Sequence, residues 1–484
     1  MKQKQRSLLG AAVLFAVLVA VGSAALWVKK DDLDKEEARE KESRPFAFDK
    51  EKVAILRLEK AGQLVVEAAR EGSGEPWKLV RPIQTDADQQ AVTALIERLS
   101  ELKQKKDLGT SVEAKQAGLE PPRLRLTVLT EDKKEQALEL GAENPFDASL
   151  FFRRSGEKST GTTDAAQFAN FDKSLFDLRD KRVAHLADDA VVTGFTIGNQ
   201  EPYTLTKQGL AWKLTGPGHE TFEDADQANA ERILGSIKNL RAVAIAAEVA
   251  DAAALKKFGL GGSAKVVIEL TLAAEGTGEP RRRIVTLGQP KAEAGQTAVN
   301  AYAKRDDAGT IFEVEPSLVK NLEQTWFSLR DKAVLKFDRE EVRSLEIAAP
   351  DAGRIVVTRS KEGGKDGGAA EEKFAVVEPR SGVAKKFKVT GTLLGLAGLK
   401  AAAFVEEAKP AATYGLDKPR TYALRGDAGK LLARLKIGRA VPGNDKRVYA
   451  SAEAGPVVEV DRTAIDDLAK TPGDVLEPAA QAPQ

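Results

Sequence analysis

Trp77-Lys78-Leu79-Val80-Arg81-Pro82 returns as Trp212-Lys213-Leu214-Thr215-Gly216-Pro217 and, more loosely, as Phe374-Ala375-Val376-Val377-Glu378-Pro379. A pattern of aromatic, x, apolar, x, x, proline that appears three times makes the chain a tandem array, and a repeat of this length constrains the fold more than any single element does. Working outward, Leu138-Glu139-Leu140-Gly141 is answered by Val285-Thr286-Leu287-Gly288 and Leu435-Lys436-Ile437-Gly438. Gly118-Leu119 is answered by Gly259-Leu260 and Gly415-Leu416, and Phe151-Phe152 by Tyr302-Ala303 and Tyr449-Ala450. Leu178-Arg179-Asp180-Lys181 matches Leu329-Arg330-Asp331-Lys332.

Local patterning fills in each unit. Alternation in Val53 to Leu58 and in Leu64 to Val66 predicts strands, and the aromatic strand is a third, ended by a proline that has no amide to donate. A helix follows, with apolar residues at Val92, Leu95, Ile96, Leu99 and Leu102, at Ala230, Ile233, Leu234, Ile237 and Leu240, and at Val389, Leu393, Leu396 and Leu399. Asp86 and Asp88, like Asp224 and Asp226, precede these helices where carboxylates cap amides, whereas the third unit has Phe387 and Val389 there. Leu124 to Leu129 and Val266 to Leu270 read as later strands, and a terminal helix is expected over about Gln167 to Leu178 and Pro316 to Leu329. The expected fold class is α+β: an N-terminal transmembrane helix, then three tandem repeats, each an antiparallel β-sheet packed with helices. The expected segments are a tip and anchor at 1–28, a charged linker at 29–45, repeats at 46–180, 181–331 and 332–478, and a disordered tail at 479–484.

Composition removes several function classes. Lys plus Arg number 74 against 73 Asp plus Glu, so there is no basic field for a nucleic-acid backbone. The absence of cysteine excludes disulfides, thiolate nucleophiles and cysteine metal sites, and His185 and His219 are too few to build a histidine site. Leu8 to Val28 carries no charge and reaches roughly 31 Å as a helix, enough for a membrane span. Trp27, Lys29 and Lys30 follow as interfacial residues, while Lys2, Lys4 and Arg6 favour a cytoplasmic amino terminus. The expected location is a bacterial inner membrane, single-pass, with the bulk of the chain in the periplasm; the alternative is a secreted chain whose leader is cleaved after Ser23 or Ala25. Lys29 to Arg44, with seven acids and six bases, is either a helical stalk or a solvated tether.

The Trp-Lys-Leu-x-x-Pro strand end, the Ala-Asp helix start and Tyr414-Gly415-Leu416-Asp417-Lys418-Pro419 together resemble the bacterial domain-of-unknown-function family numbered 4340 (DUF4340), over about residues 46 to 478. Members are often encoded beside permeases and auxiliary subunits of gliding-motility-type ABC transporters, so the resemblance implies an envelope accessory role and supplies no catalytic residues. Phe258-Gly259-Leu260-Gly261 lacks the Asp-x-Pro, and Glu120 replaces the Asp in Gly118-Leu119-Glu120-Pro121. Those departures favour a turn set by its glycine over a binding motif.

Candidate chemistry is sparse. His219-Glu220 has no second histidine at helical spacing, so it reads as an exposed turn and not a zinc site. Ser100 to Lys103 and Ser155 to Lys158 satisfy Ser-x-x-Lys, but on a polar helix side and in a glycine turn neither lysine is desolvated enough to be a base. Gly363-Gly364-Lys365 lacks the spacing of a phosphate cradle. The Asp-Ala-Asp triplets recur at two equivalent helix starts, which favours capping over glycosidase chemistry, and Trp77 and Trp212 read as core aromatics. The Leu-Arg-Asp-Lys charges either bridge neighbouring units or cap the terminal helix. No residue stands out as catalytic, cofactor-binding or metal-binding. Two functions follow: a membrane-anchored, noncatalytic extracytoplasmic scaffold or accessory protein working with an ABC-type permease or auxiliary subunit, or a cell-wall or polysaccharide-binding or hydrolysing protein using carboxylates in an inter-repeat cleft.

Overall fold

The structure, a computed structural model, describes residues 43–478, apart from 47, 263, 275–277, 290–299, 351–352, 363–370 and 408. The first sheet holds β1 (Val53–Lys60), β2 (Gln63–Ala69), β3 (Lys78–Arg81), β4 (Thr85–Asp86), β5 (Lys106–Asp107), β6 (Leu124–Thr130), β7 (Glu135–Glu143), β8 (Leu150–Arg154) and β9 (Gly161–Thr163). Across it the order is β4-β3-β2-β1-β6-β7-β8-β9-β5. Nine strands over residues 192–314 and nine over 344–461 follow that same order, position for position. Alternation sets which side is buried: Leu56 and Leu58 point inward while Arg57 between them pairs across the opposite side.

The fourth and fifth strands sit at opposite edges of each sheet, so the segment joining them must cross it. It does so as a helix of 12 residues: α1 (Gln89–Ser100), α2 (Gln227–Lys238) and α3 (Lys386–Ala397). The apolar residues read from the sequence are the ones buried, including Val92, Ile233 and Leu396, and Trp77 and Trp212 lie in the core with them. Each buried Leu or Ile contributes roughly 1.5–3 kcal/mol of gross transfer free energy, which stabilises helices too short to persist alone. Asp88 and Asp226 cap α1 and α2 by accepting from the amides of Ala91 and Asn229.

Three of the recurring motifs converge on one contact. Gly118, Gly259 and Gly415 adopt φ of +67°, +66° and +70°, turning the residue before each toward the sheet. There it meets the last glycine of the Leu-x-Leu-Gly strand: a Cβ on Gly141 or Gly438 would lie 2.0 Å from the carbonyl oxygen of Ala117 or Tyr414. The aromatic motif closes the cluster, with Phe258 against Tyr302 at 4.5 Å and Tyr414 against Tyr449 at 5.0 Å between ring centroids. The glycine-led stretch is thus a turn with a packing role.

The expected fold class needs correction. In place of an α+β chain led by a transmembrane helix, the described residues form three nine-stranded antiparallel sheets with few helices, none of those described being longer than 12 residues. Among the described residues no helix is long and apolar enough to cross a membrane. Leu8 to Val28, most of the charged linker and the 479–484 tail lie outside the described residues. Strands were undercounted because β4, β5 and β9, at two or three residues each, are too short to show alternation. The terminal helix expected over Gln167 to Leu178 is two pieces, Ala166–Phe171 and Leu175–Leu178, because Ser174 and Asp177 form a capping box that starts the second. Thr325, whose side chain accepts from the Ser328 amide, likewise caps the second of two pieces, Ser317–Leu322 and Trp326–Leu329.

By packing, the chain falls into two compact units. One runs to His185 and includes the strips Leu240–Ala250 and Gly309–Glu315; the other holds Leu186–Asn239, Asp251–Ala308 and the chain from Pro316 onward.

Candidate functional site

Charged side chains gather where one repeat hands over to the next, and the first such seam lies inside the first unit. Arg179 leaves the terminal helix in a backbone bridge with Ala87 and is only 4% exposed. Its Nη1 donates to both carboxylate oxygens of Glu248 at 2.9 Å, and Nη2 donates to Thr310 Oγ1 at 3.0 Å. By sequence, both partners belong to the second repeat. Asp88, already the cap of α1, also accepts from Arg241 Nη2 at 3.1 Å. His185, at φ +45°, sets Nδ1 2.8 Å from Asp180 and Nε2 3.4 Å from Asp86. Burial opposes the charge on Asp180, but hydrogen bonds from His185 and Arg182 prevail and hold its carboxyl well below the usual range.

The second seam, inside the second unit, repeats the plan. Arg330 bridges Ala225, donates from Nε to Glu223 at 2.6 Å and from Nη1 to Glu406 at 2.8 Å, and lies 3.7 Å over the Phe404 ring. Lys336 Nζ sits 2.6 Å from Asp224 and 2.7 Å from Asp331. Arg330, Glu223, Asp224, Asp331, Lys336 and Phe404 line a cavity of about 490 Å³ together with apolar Leu335, Leu432, Ala433 and Pro456 and the Arg434–Glu453 pair at 2.9 Å. Hydrogen bonds from Lys213 and then Lys336 pull Asp224 down to about 2. The alternatives left open by the Leu-Arg-Asp-Lys motif resolve as a division of labour. Arginine reaches into the next repeat, while Lys181 and Lys332 donate to the helix-end carbonyls of Asp177 and Ser328.

The third repeat keeps the backbone of the seam and loses its charges. Ala384 bridges Leu476, so Val383 and Lys385, and not Phe387 and Val389 as expected from the sequence, stand where Asp86 and Asp88 stand in the first repeat, and α3 starts without a side-chain cap.

Chemically, the seams are saturated. Every carboxylate whose acidity departs from its ordinary value among the described residues is shifted down, including Asp180, Asp224, Glu231 and Asp307. A general acid working near neutrality needs the opposite shift. The outer side of the sheets makes the same point. Glu67 lies between Arg57 at 2.5 Å and Arg81 at 2.6 Å, whereas in the third sheet Arg354 lies between Glu346 at 3.0 Å and Glu378 at 3.1 Å. The central residue is not at the same register position, since Val356 faces Glu346 and Glu378 where Glu67 faces Arg57 and Arg81, and Arg354 reaches the two carboxylates from two residues away.

Other sequence candidates are dispersed. His219 is not a loose turn residue: it opens a strand, stacks on Trp326 at 4.1 Å and sets Nδ1 3.0 Å from Glu223. Ser100 Oγ donates to its own helix at Glu97, and Ser155 Oγ accepts from Arg125. Gly363 to Lys365 lies outside the described residues. Sequence reasoning missed Glu248, Arg241, Glu406 and the bridging role of His185, none of which belongs to a recurring motif; the repetition of Arg179 and Arg330 was the available signal.

A chain of three like antiparallel sheets, joined by arginine-anchored seams, is a tandem-repeat β protein. The family described as "Domain of unknown function (DUF4340)" matches it over residues 77–255, 212–419 and 375–480, and the chain belongs to that family. The first two matched stretches each contain a whole seam pair, Arg179 with Glu248 and Arg330 with Glu406. No curated protein and no solved structure matches the chain.

Proposed function

We propose that this protein is a noncatalytic scaffold or accessory protein of the bacterial envelope, working outside the cytoplasm beside an ABC-type permease or auxiliary subunit. The observation that carries the reading is the saturation of the seams: Asp224, Asp331, Glu223 and Glu453 each face a cation within 2.9 Å, which suits them to joining repeats. The partner class follows from the resemblance to proteins encoded beside such transporters. Crosslinking in whole cells, with identification of the adducts, tests it: a permease or auxiliary subunit is expected, and adducts confined to cytoplasmic proteins overturn it. A reporter fused after Gln484 reads sidedness independently.

The cavity at the second seam favours one rival reading, an oligosaccharide site with Phe404 as platform and the four carboxylates around it. Titration of the full chain with cell-wall oligosaccharides separates the two: the scaffold reading expects no saturable binding, and binding abolished by Phe404→Ala establishes the rival.

A further inference from the structure

We propose that the cavity at the second seam receives an uncharged aromatic or branched apolar side chain from an extended segment of the partner protein. This names the socket through which the scaffold holds its partner, and so rests on that reading. The first argument is register. Leu138 pairs with Arg154, Val285 with Arg305 and Leu435 with Ala452 at one and the same position of the three sheets. In the second sheet Arg305 and Arg283, two residues before Val285, both close on Asp307, and the two arginine side chains are only 11% and 19% exposed. The third sheet has Ala433, Ala452 and Ala454 at those places, and all three line the cavity. Three bulky charged side chains of the second sheet are thus cut back to a Cβ in the third.

The second argument is what the walls can recognise. Val334, Phe404, Leu432, Ala433 and Ala452 lie partly buried against the core of the third repeat and line the cavity, whose size is that of a ligand site. Its cations are committed: Arg330 to Glu223 and Glu406, Lys336 to Asp224 and Asp331, Arg434 to Glu453. A charged ligand has to break one of these pairs, whereas an apolar group does not. Among the described residues no serine, threonine, asparagine or glutamine lines the cavity, so no neutral side chain is there to read the hydroxyls of a sugar. The cleft lined by Gln136 and Arg154, the matching positions of the first repeat, does have such groups in Gln104 and Ser155.

The third argument is the edge. Phe404 belongs to the strand Ala403–Phe404, which among the described residues closes the third sheet with a strand on one side only. A segment laid extended along such an edge bonds through its backbone and turns alternate side chains to one side. The chain's own linker already does this just ahead of the strand: Ala333 bridges Lys400, and the Ala401 amide donates to the carbonyl of Lys332 at 2.7 Å. The occupant argued for is therefore a stretch of protein chain.

The test titrates the purified full chain with N-phenyl-1-naphthylamine, an uncharged aromatic probe, in competition with short peptides selected on that chain from a random library. Saturable probe binding is expected, displaced by peptides that carry an aromatic or branched apolar residue. Ala433→Arg with Ala452→Arg, and separately the uncharged Ala452→Leu, are expected to weaken probe and peptide about tenfold in chains that still melt cooperatively. Arg434→Gln with Glu453→Gln is expected to leave both within about twofold. No saturable binding, or binding unmoved in the filled chains, overturns the proposal, as does binding lost with the Arg434–Glu453 pair. Displacement of the probe by cell-wall oligosaccharides and not by peptides overturns it in favour of the rival reading. A permease adduct in whole cells is read separately, so the socket and the scaffold reading fail independently.

Discussion

Ala384 and Leu476 meet in the same backbone bridge that Ala87 makes with Arg179 and Ala225 makes with Arg330. One geometry is kept three times, and its charge is kept in the first two, where the arginine reaches residues of the next repeat. The arginine is therefore a joint between repeats and not a requirement of the sheet itself.

If so, Arg179→Met should loosen the first seam without unfolding either sheet. The loss expected is about 1–3 kcal/mol, because a buried charge-assisted pair is broken while Glu248 stays half in water. A double-mutant cycle with Glu248→Gln, read by urea unfolding, should give a coupling of about 1–2 kcal/mol. Strict additivity would show that the pair does not bind the repeats together.

Acid should act on the second seam through Asp224. Its carboxyl is lowered to about 2 from an ordinary 3.8, so the stability it contributes is complete above about 3.8 and is lost as pH falls toward 2. Lys336 is shifted the other way: burial opposes its charge, but hydrogen bonds to Asp224 and Asp331 prevail, so its contribution holds below its usual 10.5 and fades above. Melting temperature against pH should fall between pH 4 and pH 2, and Asp224→Asn should flatten that limb. Because Asp224 is about half exposed, salt should weaken the effect.

Two glycine substitutions should move stability in opposite directions. Gly141→Ala places a Cβ on the Ala117 carbonyl and is expected to cost about 2–4 kcal/mol. Gly235→Ala, in α2 with open space around it, is expected to stabilise by about 0.5–1 kcal/mol. Equal melting shifts for the two would contradict the convergence of the glycine motifs.

Lys385→Asp restores to α3 the cap that α1 and α2 possess. Thermal unfolding should register a gain of about 0.5–2 kcal/mol. A loss would mean that the bond from Lys385 to Gly473 outweighs the cap.

The repeats were legible because Trp77, Trp212 and Phe374 and the three apolar-x-apolar-Gly ends answer to backbone geometry, which keeps the same residue types each time and the glycine itself. Helix faces were legible through Val92, Ile233 and Leu396 for the same reason. The two- and three-residue strands were not, since β4 and β9 are held by neighbours and carry no period of their own. Seam partners such as Glu248 and Glu406 escaped because long-range ion pairs need only opposite charge, not a spacing. His185 escaped because a lone histidine gives no hint that two aspartates, Asp86 and Asp180, converge on it.

The central claim, that the seam carboxylates join repeats and perform no chemistry, meets its most direct test in a full chain carrying Glu223→Gln, Asp224→Asn, Asp331→Asn and Glu453→Gln. Its melting temperature and its ability to replace the unaltered chain in cells are measured together. The account predicts that cellular function falls only as far as stability falls, and returns when a compensating change such as Gly235→Ala restores the melting temperature. A chain that melts normally yet fails in cells would contradict it.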